Sequence, residues 1–441
     1  MKETIKKDTV IIGAGITGLT AAYYLKNREI DLLVLEEQEQ AGGVIRTVKE
    51  NGFTYETGPN TGVLGQPEAA LLFEDLGGKV PLEIASEEVK KRYVLKDGRW
   101  EPLPSGLKEA VRTPLFTTKD KFRILGEPFR RRGRDPEESL QELVLRRMGR
   151  SYLDYAVDPF ILGVYAGDPH ELIPKYALPK LYNLEQDYGS FIGGSVRKKL
   201  RGKTELEKKA TREVFSVKGG LQNLVDALYR EVGEDTFRFG AGEVTVERKG
   251  DRFQVSYINK EGSKEQVETG RVVVTTGAHH LPSIFPGIGA DRMEKLSRMR
   301  YARVIEVTLG FKYWQGRKLD GFGGLIPYRE QRDLLGVLFL SSFLSGRAPE
   351  KGALLTLFLG GVRRPELFEK SDDELIAIVK REVADLMELE EFDPDLFRIT
   401  RHRWAIPQYE RSSGERFRTI AELENEWKGL LLRGNFQVGI G

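Results

Sequence analysis

Short, unbroken apolar runs set the pattern of this 441-residue chain. Residues 9–12 (TVII) emerge from a charged start and open into glycine, and a second run ends at Glu36. Residues 271–278 (RVVVTTGA) repeat the form. Such runs, bounded by turn residues, predict strands buried on both faces. Near the start they alternate with helical spacing, which predicts a parallel sheet with helices on its faces. That pattern stops near residue 80. Residues 106–190 carry apolar-and-basic helical stretches broken by Pro114, Pro128, Pro136 and Pro159, and predict an inserted helical lobe. Beyond it, a glycine turn at residues 218–221 leads into an amphipathic helix bearing Leu224, Leu228 and Val232. Alternating strands follow around 244–246 and 253–257. Further strands fall at 304–309, 334–340 and 354–359, with one helix over 373–388. This later block predicts a sheet-based domain, after which the chain returns to the first one.

The first run carries chemistry. Residues 9–18 read TVIIGAGITG, a strand entering a glycine fingerprint. Gly13 permits the tight turn, Gly15 lets backbone approach a pyrophosphate, and Gly18 lets the next helix pack on the strand. The N-terminus of that helix offers unpaired N–H groups to phosphate. Glu36, at the end of the next strand, is placed to accept hydrogen bonds from a ribose hydroxyl. Residues 40–47 (QAGGVIRT) add Gly42 and Gly43, a second close backbone approach, and Arg46, a donor fork. This arrangement resembles the FAD-binding flavoproteins of the glutathione-reductase and amine oxidase type. The expected fold is α/β: a Rossmann-like FAD-binding domain, a sheet-based substrate domain and an inserted helical lobe. Residues 1–78, 219–278 and 401–441 are assigned to the first, 79–105, 191–218 and 279–400 to the second, and 106–190 to the lobe.

Composition narrows the chemistry. The absence of cysteine excludes disulfides, thiolate metal sites and a redox dithiol. It also excludes a thioether to flavin, and the four histidines match no attachment, metal or triad spacing, so FAD is expected to be non-covalent and no metal is expected. With 69 basic and 67 acidic residues, charge points to no nucleic-acid partner. Residues 1–8 lack an apolar signal core, so secretion is not expected. Residues 334–344 and 353–362 are the most apolar stretches and fall well short of the ~20 residues of a spanning helix. A cytoplasmic location is expected, with peripheral contact at the inner face of the cell membrane. That contact would use residues 106–190, where Leu107, Val111, Leu115, Phe116, Phe122, Ile124, Leu125 and Phe129 mix with Lys119, Lys121, Arg123 and the basic cluster at 130–134.

Further tags sharpen the resemblance. TGPN at 57–60, KRYV at 91–94, GVYAGDP at 163–169, KGGL at 218–221, GFGGLIP at 321–327, LSSFL at 340–344 with RAP at 347–349, and RWAIPQY at 403–409 occur in order. Together they resemble the oxygen-dependent protoporphyrinogen IX oxidases, over essentially the whole chain. The resemblance implies three two-electron oxidations of a porphyrinogen at one flavin, each completed by O2 with release of H2O2. It implies that Arg92 pairs with a substrate propionate and that Asn60 faces the tetrapyrrole beside the flavin. Gly163 would lie against the macrocycle, Leu325 and Leu344 would sandwich it, and Trp404 would approach the isoalloxazine. Gly58, Val244, Gly434, Asn435 and Val438 complete the implied cofactor contacts. His402 reads as structural, and no catalytic histidine is expected. A homodimer is compatible with the resemblance. The family's closing helix would follow residues 434–439, and a chain ending at Gly441 reads as truncated there. The nearest alternative is a coproporphyrinogen III oxidase, against which Asn60 stands where an acidic residue is expected in many such enzymes. More distant alternatives are an amine oxidase or carotenoid desaturase, and a Rab-escort-like binding protein without FAD.

Overall fold

The computed structural model describes residues 5–86, 89 and 91–437. Strand Ile5–Ile12 lies at the centre of a seven-stranded sheet, between Leu32–Leu35 and Lys264–Val274, and is parallel to both. Phe237–Arg238 extends one side in parallel, and Leu430–Leu432 also pairs with Lys264–Val274 in parallel. Strands Arg252–Ile258 and Gly242–Lys249 continue antiparallel at the other edge. Both faces of the central strands are buried, which explains their unbroken apolar sequence. Ile11, Leu32, Val34 and Val273 pack under helices Ile16–Lys26 and Gln222–Val232. Val10, Ile12, Leu33 and Val274 pack on the other side with Leu296, Ile420 and Leu423 of helices Ala290–Ser297 and Ser413–Glu426.

A second seven-stranded sheet runs in the order Leu396–Pro407, Tyr301–Phe311, Ala353–Gly360, Leu334–Leu338, Gly321–Leu325, Lys91–Lys96, Arg99–Pro102. Its two faces are unlike. Ile305, Val307, Leu309, Val337, Leu355, Leu357 and Leu359 point to one side and bury Leu375, Val379 and Val383 of helix Asp372–Leu386. That helix starts with a capping box, Ser371 bonding the Glu374 amide while the Glu374 carboxylate returns to the Ser371 amide. Ser371→Ala is expected to lower unfolding stability by about 1 kcal/mol, read as a reduced denaturation midpoint with activity kept. The opposite face carries the site described below.

Three sequence expectations change in detail. Residues 334–344 form a strand only to Leu338, and Leu340–Phe343 is a helical turn. The Ser342 hydroxyl donates to the Phe339 and Gly321 carbonyls, a local bond that competes with a ladder. Residues 401–407 stay in the second sheet, because Leu396–Pro407 remains paired until Pro407 meets Tyr301. The helical run passes residue 190 and includes Phe191–Arg201 and Glu205–Lys208. It is anchored by Arg147, fully buried between Glu127 (2.5 Å) and Glu185 (2.7 Å). Glu127 also accepts the amides of Phe191 and Ile192, which ties the later helix to the lobe.

Candidate active site

The glycines after the first strand divide into two kinds. A Cβ on Gly18 would lie 1.9 Å from the Gly13 carbonyl oxygen, and one on Gly13, at φ +101°, would lie 2.9 Å from Thr275 Oγ1. Those two are required because strand, turn and helix press together. Gly15 is open: nothing lies within 4 Å of its Cβ position. It bridges to Gly42, and a Cβ on Gly43 would face the Gly15 Cα at 3.4 Å. Helix Ile16–Lys26 begins at Gly15 with no side-chain cap, leaving its first amides to a ligand. An open glycine cradle at a helix N-terminus fits a pyrophosphate.

Neighbouring residues shape this cradle. Glu36 is buried and accepts the amides of Ala14 (2.6 Å) and Gln38 (2.9 Å), leaving each oxygen a lone pair for ribose hydroxyls. Arg46 spends its fork on the loop itself, donating to the carbonyls of Ala41 (2.7 Å) and Ile45 (2.8 Å) and to Gln38 Oε1. It holds the glycine doublet in shape. Gly58 is needed because a Cβ there would sit 2.2 Å from the Val44 carbonyl oxygen. Val244 lies where the Gly242–Lys249 ladder slips, next to Glu243 at φ +48°, just after Ala241 bonds the Glu36 carbonyl. Gly434, at φ +131°, closes over the carbonyls of Thr275 and Thr276. The Asn435 carbonyl accepts the Tyr409 hydroxyl. Val438 lies outside the described residues.

The second site is built on the opposite face of the second sheet. Residues paired across strands share a face. One row reads Glu306–Phe358–Gly336–Leu325–Val94, and the next reads Thr308–Thr356–Leu338–Gly323–Arg92. Arg92 and Leu325, chosen from sequence, therefore stand on one surface. The glycines keep backbone low there: Cβ atoms on Gly163 and Gly323 would lie 2.3 Å from Leu325 Cδ2 and 2.1 Å from the Val337 carbonyl oxygen. The Arg92 guanidinium lies 5.1 Å over the Phe322 ring, which stacks on Phe343 at 4.5 Å. Among the described residues no carboxylate pairs with Arg92. Leu344 is separate from Leu325: it is buried with Phe53, Tyr55 and Phe343 in a different cluster. Trp404 is half exposed and stacks on His279 at 4.3 Å. Burial, with help from His280, pushes the His279 imidazole down to about 4, so it is neutral at physiological pH.

Asn60 departs from expectation. Its two amide hydrogens go to Glu306 Oε1 (2.8 Å) and the Gly58 carbonyl (3.1 Å), and its Oδ1 accepts from Thr356 Oγ1 (3.2 Å). No amide hydrogen remains for a ligand. An acidic residue at this position would oppose the Glu306 carboxylate, so asparagine is set by local bonding. Glu306, which sequence reading did not single out, shares this face and lies opposite His402, with Oε2 3.7 Å from Nε2. A single Glu inside an apolar strand (VIEVTL, residues 304–309) was the available signal.

Residues 16–435 match the model of the flavin-containing amine oxidoreductases. The chain belongs to that family. It is a flavin oxidoreductase, and the dinucleotide cradle identifies the flavin as FAD. The chain is 30% identical to protoporphyrinogen oxidase 2, chloroplastic/mitochondrial, of Arabidopsis thaliana, covering 98% of this chain and 90% of that protein. It is 26% identical to coproporphyrinogen III oxidase of Bacillus subtilis, covering 99% and 95%. A crystal structure from Exiguobacterium shares the fold with a TM-score of 0.81 at 23% identity, covering 100% of this chain and 96% of that one. Reduced UDP-galactopyranose mutase shares it at a TM-score of 0.71 and 17% identity, covering 98% and 90%. No helix among the described residues of this flavin oxidoreductase is long and apolar enough to cross a membrane.

Proposed function

We propose that the protein oxidises protoporphyrinogen IX to protoporphyrin IX with O2 as acceptor and H2O2 as by-product. The observation that carries this is Arg92, a cation without an acid partner among the described residues, on a glycine-lowered face. The likeness to protoporphyrinogen oxidases along nearly the full chain supports it. Bound flavin supplies the hydride chemistry. The protein's part is to bind and orient. Arg92 holds a propionate by its fork, Leu325 and Phe322 offer apolar contact to the ring system, and Gly163 lets the Leu325 side chain lie against its helix. The pyrophosphate amides after Gly15 hold the cofactor in place.

Coproporphyrinogen III is the second substrate to test, given the Bacillus subtilis relative. Because Asn60 is fixed by Glu306 and Thr356, its identity does not separate the two. Anaerobic flavin bleaching with each porphyrinogen, followed by admission of air, decides it. Bleaching by protoporphyrinogen at higher kcat/KM, with peroxide formed on reoxidation, is the expected result. Faster reaction with coproporphyrinogen would reassign the substrate, and no bleaching with either would end the reading.

The helical lobe supports docking on a bilayer. Leu107, Val111, Phe122, Leu125 and Phe129 are exposed, Phe129 by 90%, and Val196, Leu200 and Leu206 extend the apolar surface. Leu115 and Phe116, expected on that surface, are instead buried with Val94 and Tyr155 in the lobe's core. Arg131, Arg134, Lys198 and Lys199 are exposed on the same helical run and suit anionic headgroups, at about 1 kcal/mol each. Flotation with anionic vesicles at low salt is expected, and much less with neutral ones. Protein left at the bottom of the gradient with both lipids would refute docking.

A further inference from the structure

Each two-electron oxidation of a porphyrinogen breaks two bonds to hydrogen. A meso C–H hydrogen leaves with its electron pair and a second hydrogen leaves as a proton, from a pyrrole N–H in two of the three oxidations and, after tautomerisation, from a meso carbon in the third. On the porphyrinogen reading, on which this inference rests, flavin accounts for the first. The proton needs a base. Arg92 stays charged, and Asn60, Gly163, Leu325 and Leu344 do not titrate in the working range. The residues read from sequence supply none.

We propose that Glu306 and His402 are the proton-accepting pair of this site, with the Glu306 carboxylate as acceptor and His402 as the outlet to solvent. Glu306 stands in the same cross-strand row as Leu325, three strands away, about 14 Å at usual strand spacing. Phe358 and Gly336 lie between the two in that row. His402 pairs in register with Val304, two residues from Glu306, and so shares its face. The Glu306 side chain is 3% exposed and His402 is 20% exposed, which puts the histidine on the solvent side of the pair. His402 Nε2 is itself buried and has no hydrogen-bond partner.

The charges around Glu306 leave it free to exchange a proton. From the loop before it comes neutral Asn60, which bonds Oε1 and leaves Oε2 toward His402. The adjoining strand offers Thr356, whose hydroxyl is given to Asn60. Glu56 repels, but its own charge is taken up by buried Arg347 (3.1 Å), Thr47 and the Leu221 amide. Arg398, on the same face of the edge strand, is committed to Glu50. No lysine or arginine among the described residues pairs with Glu306. Burial therefore raises its proton affinity, while His402 and Asn60 act to lower it. A carboxyl poised above its usual range is a better acceptor near neutral pH.

In the step proposed, the pyrrole N–H bond breaks and its electron pair stays on nitrogen. The proton forms an O–H bond at Glu306 Oε2. It then moves to His402 Nε2, which needs the 3.7 Å gap to close by about 0.5–1 Å. Loss of the Nδ1 proton to solvent, followed by exchange of the remaining ring hydrogen from Nε2 back to Nδ1, restores the pair for the next round. Two such N–H steps and one proton from a meso carbon accompany three hydride equivalents, so four C–H and two N–H hydrogens leave over the three oxidations.

The test uses FAD-loaded protein carrying Glu306→Gln or His402→Gln. Anaerobic flavin reduction by protoporphyrinogen is followed against pH, and the infrared carboxyl band of the substrate-free holoenzyme is titrated in parallel. In the wild type the reduction rate is expected to rise with pH as Glu306 ionises, and a protonated-carboxyl band to fade over the same range. Glu306→Gln should slow reduction by about a hundredfold and abolish both the pH limb and the band. His402→Gln should move limb and band together to higher pH, because it removes a group that lowers the Glu306 proton affinity. A folded, flavin-loaded Glu306→Gln protein with wild-type rate and limb would overturn the proposal. If that variant does not fold, His402→Gln decides, and an unmoved limb and band overturn it. Wild-type flavin that no porphyrinogen reduces would instead sink the substrate reading, while the infrared titration still reports whether the pair exchanges a proton.

Discussion

Gly15→Val is expected to give a folded, colourless protein. The backbone at Gly15 is extended (φ −68°, ψ 178°), which valine adopts readily, and no atom lies within 4 Å of its Cβ. Folding therefore has little reason to change. The branched side chain would instead fill the cradle and hold a pyrophosphate away from the helix amides. Steric intrusion and lost charge-assisted hydrogen bonds together amount to about 3–6 kcal/mol, or roughly a hundredfold to ten-thousandfold in FAD affinity. The absorbance ratio at flavin and protein wavelengths, with circular dichroism as the control for folding, measures this. Full flavin content in a folded variant would mean that the dinucleotide lies elsewhere. Gly18→Val makes the contrast: its Cβ would meet the Gly13 carbonyl at 1.9 Å, so that variant should lose stability as well as flavin.

Arg92→Ala should separate binding from stability in the other direction. In the free protein its guanidinium is exposed and only overlies Phe322, so truncation should change unfolding stability by no more than about 0.5 kcal/mol. With a carboxylate-bearing substrate bound and water displaced, the loss is on the order of 2–5 kcal/mol. That is a fall in kcat/KM of about thirtyfold or more. Arg92→Lys should recover part of it, since an ammonium keeps the charge but not the fork. Flavin content should be unchanged in both. If kcat/KM with protoporphyrinogen stays at the wild-type value in the alanine variant, Arg92 has no part in substrate binding.

The sequence alone determined what depends on short-range order. Gly13, Gly15, Gly18 and Glu36 were legible because strand, turn and helix follow one another within thirty residues, and local geometry dictates each residue type. The buried strands were legible because a strand covered on both faces must be apolar throughout. Tertiary structure decided whatever depends on residues far apart in the chain. Arg46, a donor fork in sequence, is consumed by the carbonyls of its own loop. Leu115 and Phe116 read as part of an apolar face with Leu107 and Phe129, yet the strand bearing Val94 draws them into a core. Asn60 and Glu306 are separated by 246 positions, and only the pairing of the second sheet brings that carboxylate under the Gly58 turn beside His402. A lone buried acid leaves no periodic or spacing signal, since its meaning lies in which distant strand supplies its neighbour. Periodicity reports how each segment meets its own surroundings; sheet register, which sets the neighbours across strands, is fixed only when the whole core closes.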